Sequence, residues 1–180
     1  MLVPSQMDVE HLALLRENVD RLLASAGERP ELANARVLDI APQVHKGARY
    51  FFPDSATVET LDIDPESDAT YIADICKTND DVIPSSAFDV VVCTEVLEHT
   101  LNPFAAVAEI LRVLRPGGLL FASTPYNFRI HGPLPDCWRF TEHGIRALLD
   151  SFEDVQIEAL ETPERPLMPV HYTYTARRPG

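Results

Sequence analysis

The sequence predicts an α/β fold, because short runs of strand-forming residues alternate with helical segments along most of its 180 residues. A composition of 46% hydrophobic and 24% charged residues is ordinary for a folded domain. Length and composition together predict one domain over residues 1–180, with a substantial core. Seven segments have the apolar or alternating pattern of strands: about 36–40, 57–63, 70–73, 88–93, 118–124, 154–161 and 169–177.

Helical patterns occur at three places. Apolar residues recur near the i, i+3, i+4, i+7 spacing from about residue 7 to residue 26, which predicts an amphipathic leading helix. Two further helices are predicted at about 103–114, where Asn102 caps a helix that begins with proline, and at about 142–150, where Thr141 is the cap. The apolar positions of the leading helix are Leu12, Leu15, Val19, Leu22 and Leu23.

The charge of the chain narrows the class of ligand. Its 15 basic and 28 acidic residues give a formal net charge of −13. This excess of negative charge disfavours binding to nucleic acid or to an anionic membrane, so we expect a small-molecule ligand. The three cysteines have no metal-binding spacing and cannot form a closed disulfide framework. Because we find neither a secretory leader nor a run of about 18 apolar residues, we expect a cytoplasmic protein.

Acidic residues lie at or next to the ends of three predicted strands. They are Asp39, Asp62 and Asp74. Because the C-terminal ends of the strands in a doubly wound sheet meet at one crevice, we expect these carboxylates to converge there. A carboxylate that ends the second strand can accept hydrogen bonds from both hydroxyls of a ribose, which predicts that role for Asp62. The alternative is that Asp62, Asp64 and Asp74 are ordinary turn residues.

In their order and spacing, these segments resemble the class I S-adenosylmethionine (SAM)-dependent methyltransferases, and within them the small-molecule, methyltransferase type 11-like branch. The resemblance runs from about Arg36 to Phe152. It implies a Rossmann-like doubly wound seven-stranded sheet, mostly parallel with an antiparallel last strand. It also implies SAM as cofactor and a small-molecule acceptor, such as a sugar or natural-product hydroxyl or amine, and it leaves a homodimer open. The segments that carry it are Arg36–Gln43, Glu59–Pro65, Tyr71–Ile75, Phe88–His99 and Leu114–Leu120.

The resemblance also implies which residues contact the cofactor. Asp39 is expected near the methionine end of SAM, Asp62 at the ribose, and Asp74 with the backbone of Ile75 at the adenine amino group. The segment after the fourth strand is expected beside the sulfonium and the acceptor. The full set of predicted cofactor-binding residues is Asp39, Ala41, Asp62, Ile63, Asp74, Ile75, Thr94 and Glu95.

The first loop departs from the family pattern. Ala41 and Pro42 stand where the family usually has a glycine-rich turn, which lets the backbone approach the ligand closely. We therefore expect a reshaped loop, and a non-catalytic methyltransferase-like binding or partner-activating subunit is an alternative function. A nicotinamide-dependent oxidoreductase would share Asp62, but it would carry a G-x-G-x-x-G turn after the first strand, which this chain lacks.

The segment after the fourth strand contains Glu95 and His99 at i, i+4 spacing, so they share a face if a helix begins at Thr94. Two residues without a third ligand are a weak signal for zinc, and we predict no metal. His99 either forms a local hydrogen bond near a helix end or lies in the acceptor pocket.

The connection from Pro125 to Thr141 is long and rich in aromatic residues, which indicates an ordered functional loop. It resembles a His-Gly-Pro, Asp, Trp-Arg-Phe-Thr signature of some small class I methyltransferases. If the acceptor is a hydroxyl, a histidine suits removal of its proton, and the predicted catalytic base is His131, with His99 as second choice. Alternatively, these side chains brace and anchor the loop. The predicted substrate-binding residues are Tyr126, Asp136, Trp138 and Arg139.

Overall fold

The computed structural model describes residues 4–42, 46–162 and 164–180. Its centre is a seven-stranded sheet with the strand order β3-β2-β1-β4-β5-β7-β6. Strands β1 to β5 pair in parallel, and β7 runs antiparallel to both β5 and β6. The strands are β1 Arg36–Ile40, β2 Thr57–Asp62, β3 Tyr71–Ile72, β4 Phe88–Thr94, β5 Leu114–Pro125, β6 Glu153–Leu160 and β7 His171–Arg177.

Four α-helices cover the sheet: α1 Gln6–Gly27, α2 Ala48–Phe51, α3 Pro103–Val113 and α4 Glu142–Leu148. Two 3₁₀ turns lie at Pro30–Leu32 and Leu97–His99. Across the ranges that the structure describes, no helix is both long and apolar enough to cross a membrane.

The predicted fold class is confirmed, since both the seven strands and the antiparallel last strand are present. Asn102 and Thr141 cap α3 and α4 as predicted, by accepting hydrogen bonds from backbone N–H groups. The fifth strand is longer than the predicted 118–124, since it begins at Leu114 and ends at Pro125, and it includes Gly117 at a φ of 75°. Helix α2 was not predicted, since four residues are too few to show helical periodicity.

The side chains of the sheet alternate between two hydrophobic layers, as the period of two in a strand requires. Val37 and Val90 pack on the layer that contains α1, whereas Leu38 and Val91 pack on the layer that contains α3 and α4. The sheet is therefore covered on both faces, which leaves its strand ends as the place for a ligand.

Helix α1 packs against the sheet rather than over the strand ends. Leu15, Val19 and Leu23 are buried in the same layer as Phe121 of β5. The capping box of Ser5 and Asp8 fixes the start of this helix.

We expect Gly27→Ala to lower the free energy of unfolding by about 1–3 kcal/mol, the usual cost of overpacking. A Cβ at Gly27 would overlap the carbonyl oxygen of Phe51 at the end of α2. Gly144→Ala is the matched control, because the nearest atom to its added Cβ is 3.7 Å away and it lies inside α4. Urea denaturation measures both. Equal stability of the two variants would show that α1 and α2 do not meet at Gly27.

Candidate functional site

A cavity of about 480 Å³ opens at the C-terminal ends of β1, β2 and β4. This volume is typical of a small-molecule site. The described residues that line it are Ile40, Ala41, Pro42, Leu61, Asp62, Ile63, Ala73, Asp74, Ile75, Cys76, Glu95, Val96, His99, Thr100, Leu101, Pro133 and Pro135.

Most of the predicted cofactor residues line this cavity: Ala41, Asp62, Ile63, Asp74, Ile75 and Glu95. Of the two predicted catalytic histidines, His99 lines the cavity. His131 is not among the described residues that line it. Asp39, Thr94 and the four predicted substrate-binding residues are also outside the lining. The sequence therefore located the half of the cavity formed by β1, β2 and β3 better than the half formed by the long loop.

Asp62 serves both a turn and the cavity. Its Oδ1 accepts a hydrogen bond from the backbone N–H of Asp64 at 2.9 Å. Its Oδ2 accepts no hydrogen bond from the residues that the structure describes, and the side chain lines the cavity. The turn and ligand interpretations of Asp62 are therefore compatible.

Asp74 closes the same wall. Its Oδ1 accepts from the backbone N–H of Cys76 at 2.9 Å, and Lys77 Nζ lies 3.5 Å from its Oδ2. Ile63 and Ile75 also line the cavity, so its lining combines apolar side chains with the carboxylates of Asp62 and Asp74. A lining of this kind can hold an apolar ring that carries polar hydroxyl groups.

The first loop keeps the conformation that its missing glycine would adopt. Ala41 has a φ of 45°, in the left-handed region that favours glycine, and its N–H donates to Leu61 O at 2.7 Å. Ala41 and Pro42 both line the cavity. At Ala41 the backbone has the conformation that a glycine would favour, and the expectation of a reshaped loop stays a prediction. Gln43, which belongs to the same sequence segment, lies outside the described residues.

Asp39 is not among the described residues that line the cavity, and its predicted place near the methionine end of the cofactor stays a prediction. It is buried, and its Oδ2 accepts a hydrogen bond from the N–H of Ala48 at 2.7 Å, which fixes the start of α2. Burial raises the pKa of Asp39 to about 6. The structure therefore gives Asp39 the task of connecting β1 to α2 behind the cavity wall.

No helix begins at Thr94, so the condition under which Glu95 and His99 would share a helix face is not met. Thr94 ends β4, Glu95 has a φ of 58°, and only Leu97–His99 forms a 3₁₀ turn, so Glu95 and His99 do not share a helix face. The sharp bend at Glu95 turns the chain along the rim of the cavity.

Glu95 is held by a chain of hydrogen bonds that the sequence did not reveal. Its Oε1 accepts from Ser123 Oγ at 2.8 Å and from His171 Nε2 at 2.6 Å. His171 Nδ1 in turn lies 3.0 Å from Asn18 Nδ2 of α1. These contacts connect β4, β5, β7 and α1, and they join residues too far apart in sequence for any local pattern to show.

Asp136 and Arg139 form the brace of the long loop. Arg139 donates to both oxygens of Asp136, at 2.5 and 2.8 Å, and also to the carbonyl oxygens of Phe128 and Arg129. The guanidinium of Arg139 holds the pKa of Asp136 well below its usual range. The structure supports the bracing interpretation of this pair and not direct contact with a substrate in the cavity.

Trp138 and Tyr126 anchor the same loop. Trp138 Nε1 donates to Thr100 O at 2.8 Å, and its ring stacks on Phe140 with the centroids 6.0 Å apart. Tyr126 packs edge-on against Tyr172 at 6.1 Å. The loop residues that reach the cavity are instead Pro133 and Pro135, which the sequence analysis missed.

The two predicted catalytic histidines lie side by side at the rim. The ring centroids of His99 and His131 are 4.8 Å apart, and Glu98 lies beside them. His131 donates its backbone N–H to Asp136 Oδ2 at 2.9 Å, and burial lowers the pKa of its imidazole. The ligand atoms of Glu98, His99 and His131 all lie within 4.8 Å of one another, so this group could hold a metal ion.

A family model described as a methyltransferase domain matches residues 7–161, which is most of the chain. The chain belongs to the methyltransferase domain family. Over 92 residues it is 33% identical to the ubiquinone biosynthesis O-methyltransferase of Xanthomonas oryzae pv. oryzae strain PXO99A. This match covers 51% of the chain and 34% of that protein, so the chain spans about a third of the relative's length.

Solved structures of methyltransferases have the same fold. The 1,6-didemethyltoxoflavin-N1-methyltransferase of Burkholderia thailandensis, with S-adenosylhomocysteine bound, has a TM-score of 0.61 at 20% identity, covering 100% of this chain and 94% of that one. Phosphoethanolamine N-methyltransferase 2 of Haemonchus contortus, in complex with SAM, has a TM-score of 0.65 at 17% identity, covering 91% and 53%. At these identities the likeness shows a shared fold.

We expect Asp39→Asn to remove one pH-dependent part of the stability. The pKa of Asp39 is about 6 in the folded state, above its ordinary value of 3.8, so ionisation disfavours the folded state. This contribution lowers the free energy of unfolding as the pH rises from about 4 to about 6, by up to about 3 kcal/mol. Asparagine still offers an oxygen to Ala48 but does not titrate. Urea denaturation of both proteins from pH 4 to pH 7 should show a steeper loss for the unmodified chain, and parallel curves would contradict the assignment.

We expect Ala41→Gly to raise the free energy of unfolding by about 0.5–1 kcal/mol, since glycine adopts a φ of 45° without a steric penalty. Ala33→Gly is the control, because Ala33 has an ordinary φ of −58° and glycine there only adds conformational entropy to the unfolded chain. Urea denaturation should therefore give shifts of opposite sign. Destabilisation by both changes would show that Ala41 is not in the left-handed region.

Proposed function

We propose that the chain transfers a methyl group from SAM to a small-molecule acceptor, such as a sugar or natural-product hydroxyl or amine. The observation that carries the proposal is the cavity at the strand ends, whose lining includes Asp62, Asp74 and the first-loop residues Ala41 and Pro42. Membership of the methyltransferase domain family supports the same activity. The named relatives methylate small molecules, which supports the class of acceptor.

The residues present fit the nucleoside part of SAM. Asp62 lines the cavity, and its Oδ2, which accepts no hydrogen bond from the described residues, can accept one from a ribose hydroxyl. Ala41 has a φ of 45°, the left-handed conformation that glycine favours, which supports a first loop able to approach the ligand. The non-catalytic binding subunit is the alternative that SAM titration tests.

For methyl transfer, the main task of the protein is to orient the acceptor toward the methyl group of SAM. SAM supplies a methyl group that is already electrophilic. Holding an acceptor in line with such a group can contribute about 7–11 kcal/mol in favourable cases. His99, Pro133 and Pro135 line the cavity from the segments after β4 and β5, and we assign this acceptor side to the small molecule that receives the methyl group. His99, rather than His131, is the histidine that reaches the cavity.

We expect Asp62→Ala to weaken SAM binding by about 1.5–3 kcal/mol, the range for lost hydrogen bonds to a charged group. Isothermal titration of SAM measures this. Asp62→Asn keeps an oxygen for the N–H of Asp64 and separates loss of the turn from loss of the ribose contact. Asp64→Ala is the matched control, because Asp64 belongs to the same turn and is absent from the cavity lining.

Three outcomes would count against the proposal. If the unmodified chain does not bind SAM, it is a non-catalytic subunit. If the chain binds NAD and not SAM, the result supports the nicotinamide-dependent oxidoreductase alternative. If folded Asp62→Ala binds SAM as tightly as the unmodified chain, Asp62 does not contact the ribose.

A further inference from the structure

Three side chains from two segments converge at the acceptor side of the cavity. Glu98 and His99 belong to the 3₁₀ turn after β4, and His131 belongs to the long loop after β5. We propose that Glu98, His99 and His131 bind a divalent transition metal ion of the zinc type. The sequence analysis predicted no metal because it saw only the pair Glu95 and His99 and no third ligand.

His99 presents the correct nitrogen. Its Nδ1 lies 2.9 Å from the carbonyl oxygen of Pro135, and a carbonyl oxygen can only accept, so Nδ1 carries the hydrogen. Nε2 therefore keeps its lone pair in the neutral ring. That nitrogen lies 3.8 Å from Glu98 Oε1, inside the cluster.

His131 is held in the same way. Its Nδ1 lies 3.1 Å from Asp136 Oδ2, and the carboxylate of Asp136 is fixed by both nitrogens of Arg139. The ring thus donates from Nδ1 and keeps the lone pair of Nε2. A histidine that binds a metal through one nitrogen almost always donates its other N–H to a carboxylate or a carbonyl, and both histidines here do so.

The environment of Glu98 supports a bound cation independently of the two histidines. Its side chain is fully buried, and neither carboxylate oxygen accepts a hydrogen bond from the described residues. Glu95 and Asp136 nearby are acidic, and the nearby cation Arg139 donates its hydrogen bonds to Asp136 and not to Glu98. A buried carboxylate without a partner is costly unless a cation pairs with it. A metal ion bound between Glu98 and the two histidines would supply that charge.

The ligand set indicates the class of metal. Two imidazoles and one carboxylate suit zinc and neighbouring transition metals, whereas magnesium and calcium prefer oxygen ligands. Bond lengths of about 2.1 Å place the ligand atoms of a tetrahedral site about 3.4 Å apart. The atoms now lie within 4.8 Å of one another, so binding requires their separations to shorten by up to about 1.4 Å. Three protein ligands leave a fourth position open.

The open position gives the ion a role that rests on the proposed function. His99 lines the cavity beside Pro133 and Pro135, so an acceptor hydroxyl there can bind the ion through its oxygen. The ion lowers the pKa of the bound hydroxyl, which loses its proton to water. The oxygen then forms a bond to the methyl carbon as the carbon–sulfur bond breaks, and the sulfonium becomes a neutral thioether. The site therefore favours a hydroxyl over an amine as acceptor.

The test uses the full chain without a histidine tag, stripped of metal with a chelator. Titration with Co²⁺, followed by visible absorption, and calorimetric titration with Zn²⁺ report binding directly. We expect one equivalent to bind, and His99→Ala, His131→Ala and Glu98→Gln each to weaken binding by at least about 10- to 100-fold, the loss seen when even supporting residues of metal sites are removed. Asp136→Asn should weaken it within that range. His143→Ala is the control, because His143 is exposed on α4 and should leave the affinity unchanged.

Folding is checked by thermal melting, in which Zn²⁺ should raise the Tm of the unmodified chain and of His143→Ala but not that of Glu98→Gln. Absence of Zn²⁺ binding, binding of Mg²⁺ in preference to Zn²⁺, or equal affinity in the ligand variants would overturn the proposal. SAM titration of the metal-free chain keeps the two proposals separate. SAM binding without Zn²⁺ binding rejects only the metal site, and Zn²⁺ binding without SAM binding rejects only methyl transfer.

Discussion

Parallel pairing of β1 with β2 and β4 is the constraint on which the rest of the structure depends. The register aligns Ile40 with Leu61, so the first two strands end together and the chain leaves both at one edge. Parallel strands need a crossover connection each time, and these crossovers place helices on both faces of the sheet. The strand ends are then the part of the sheet left open, and the cavity forms there. The position of the ligand site follows from the pairing before any polar residue is considered.

The fold and the cofactor side of the cavity could be predicted because their signals are local. A strand that ends in an acid shows in a few consecutive residues, and Asp62 and Asp74 lie where that pattern places them. Asp39 shows the limit of the same reasoning. Side chains alternate along a strand, so Asp39 points to the opposite face from Leu38 and Ile40 and contacts α2. The alternation of side chains in β1 predicts this face for Asp39, whereas the resemblance to the family predicts a place near the cofactor.

The acceptor side could not be predicted because its contacts join distant segments. The carbonyl oxygen of Glu98 accepts hydrogen bonds from the N–H groups of Cys137 at 2.7 Å and Trp138 at 3.2 Å. These bonds fix the long loop against the 3₁₀ turn after β4, and they bring His131 beside His99. No residue spacing within either segment predicts that His131 and His99 are in contact. The sequence named both histidines as candidate bases without indicating that they are neighbours.

The charged side chains around His99 and His131 explain why the contact between the two loops can create a cation site. Three carboxylates, from Glu95, Glu98 and Asp136, lie close together, and two of them have partners: His171 and Ser123 donate to Glu95, and Arg139 donates to Asp136. The side chain of Glu98 is as fully buried as that of Asp136, but it has no hydrogen-bond donor among the described residues. Arg139 could neutralise either Asp136 or Glu98, and its bidentate pairing with Asp136 orients His131 instead. The loop therefore uses its guanidinium to position a histidine and leaves the buried carboxylate facing two imidazole nitrogens, an arrangement that a cation completes.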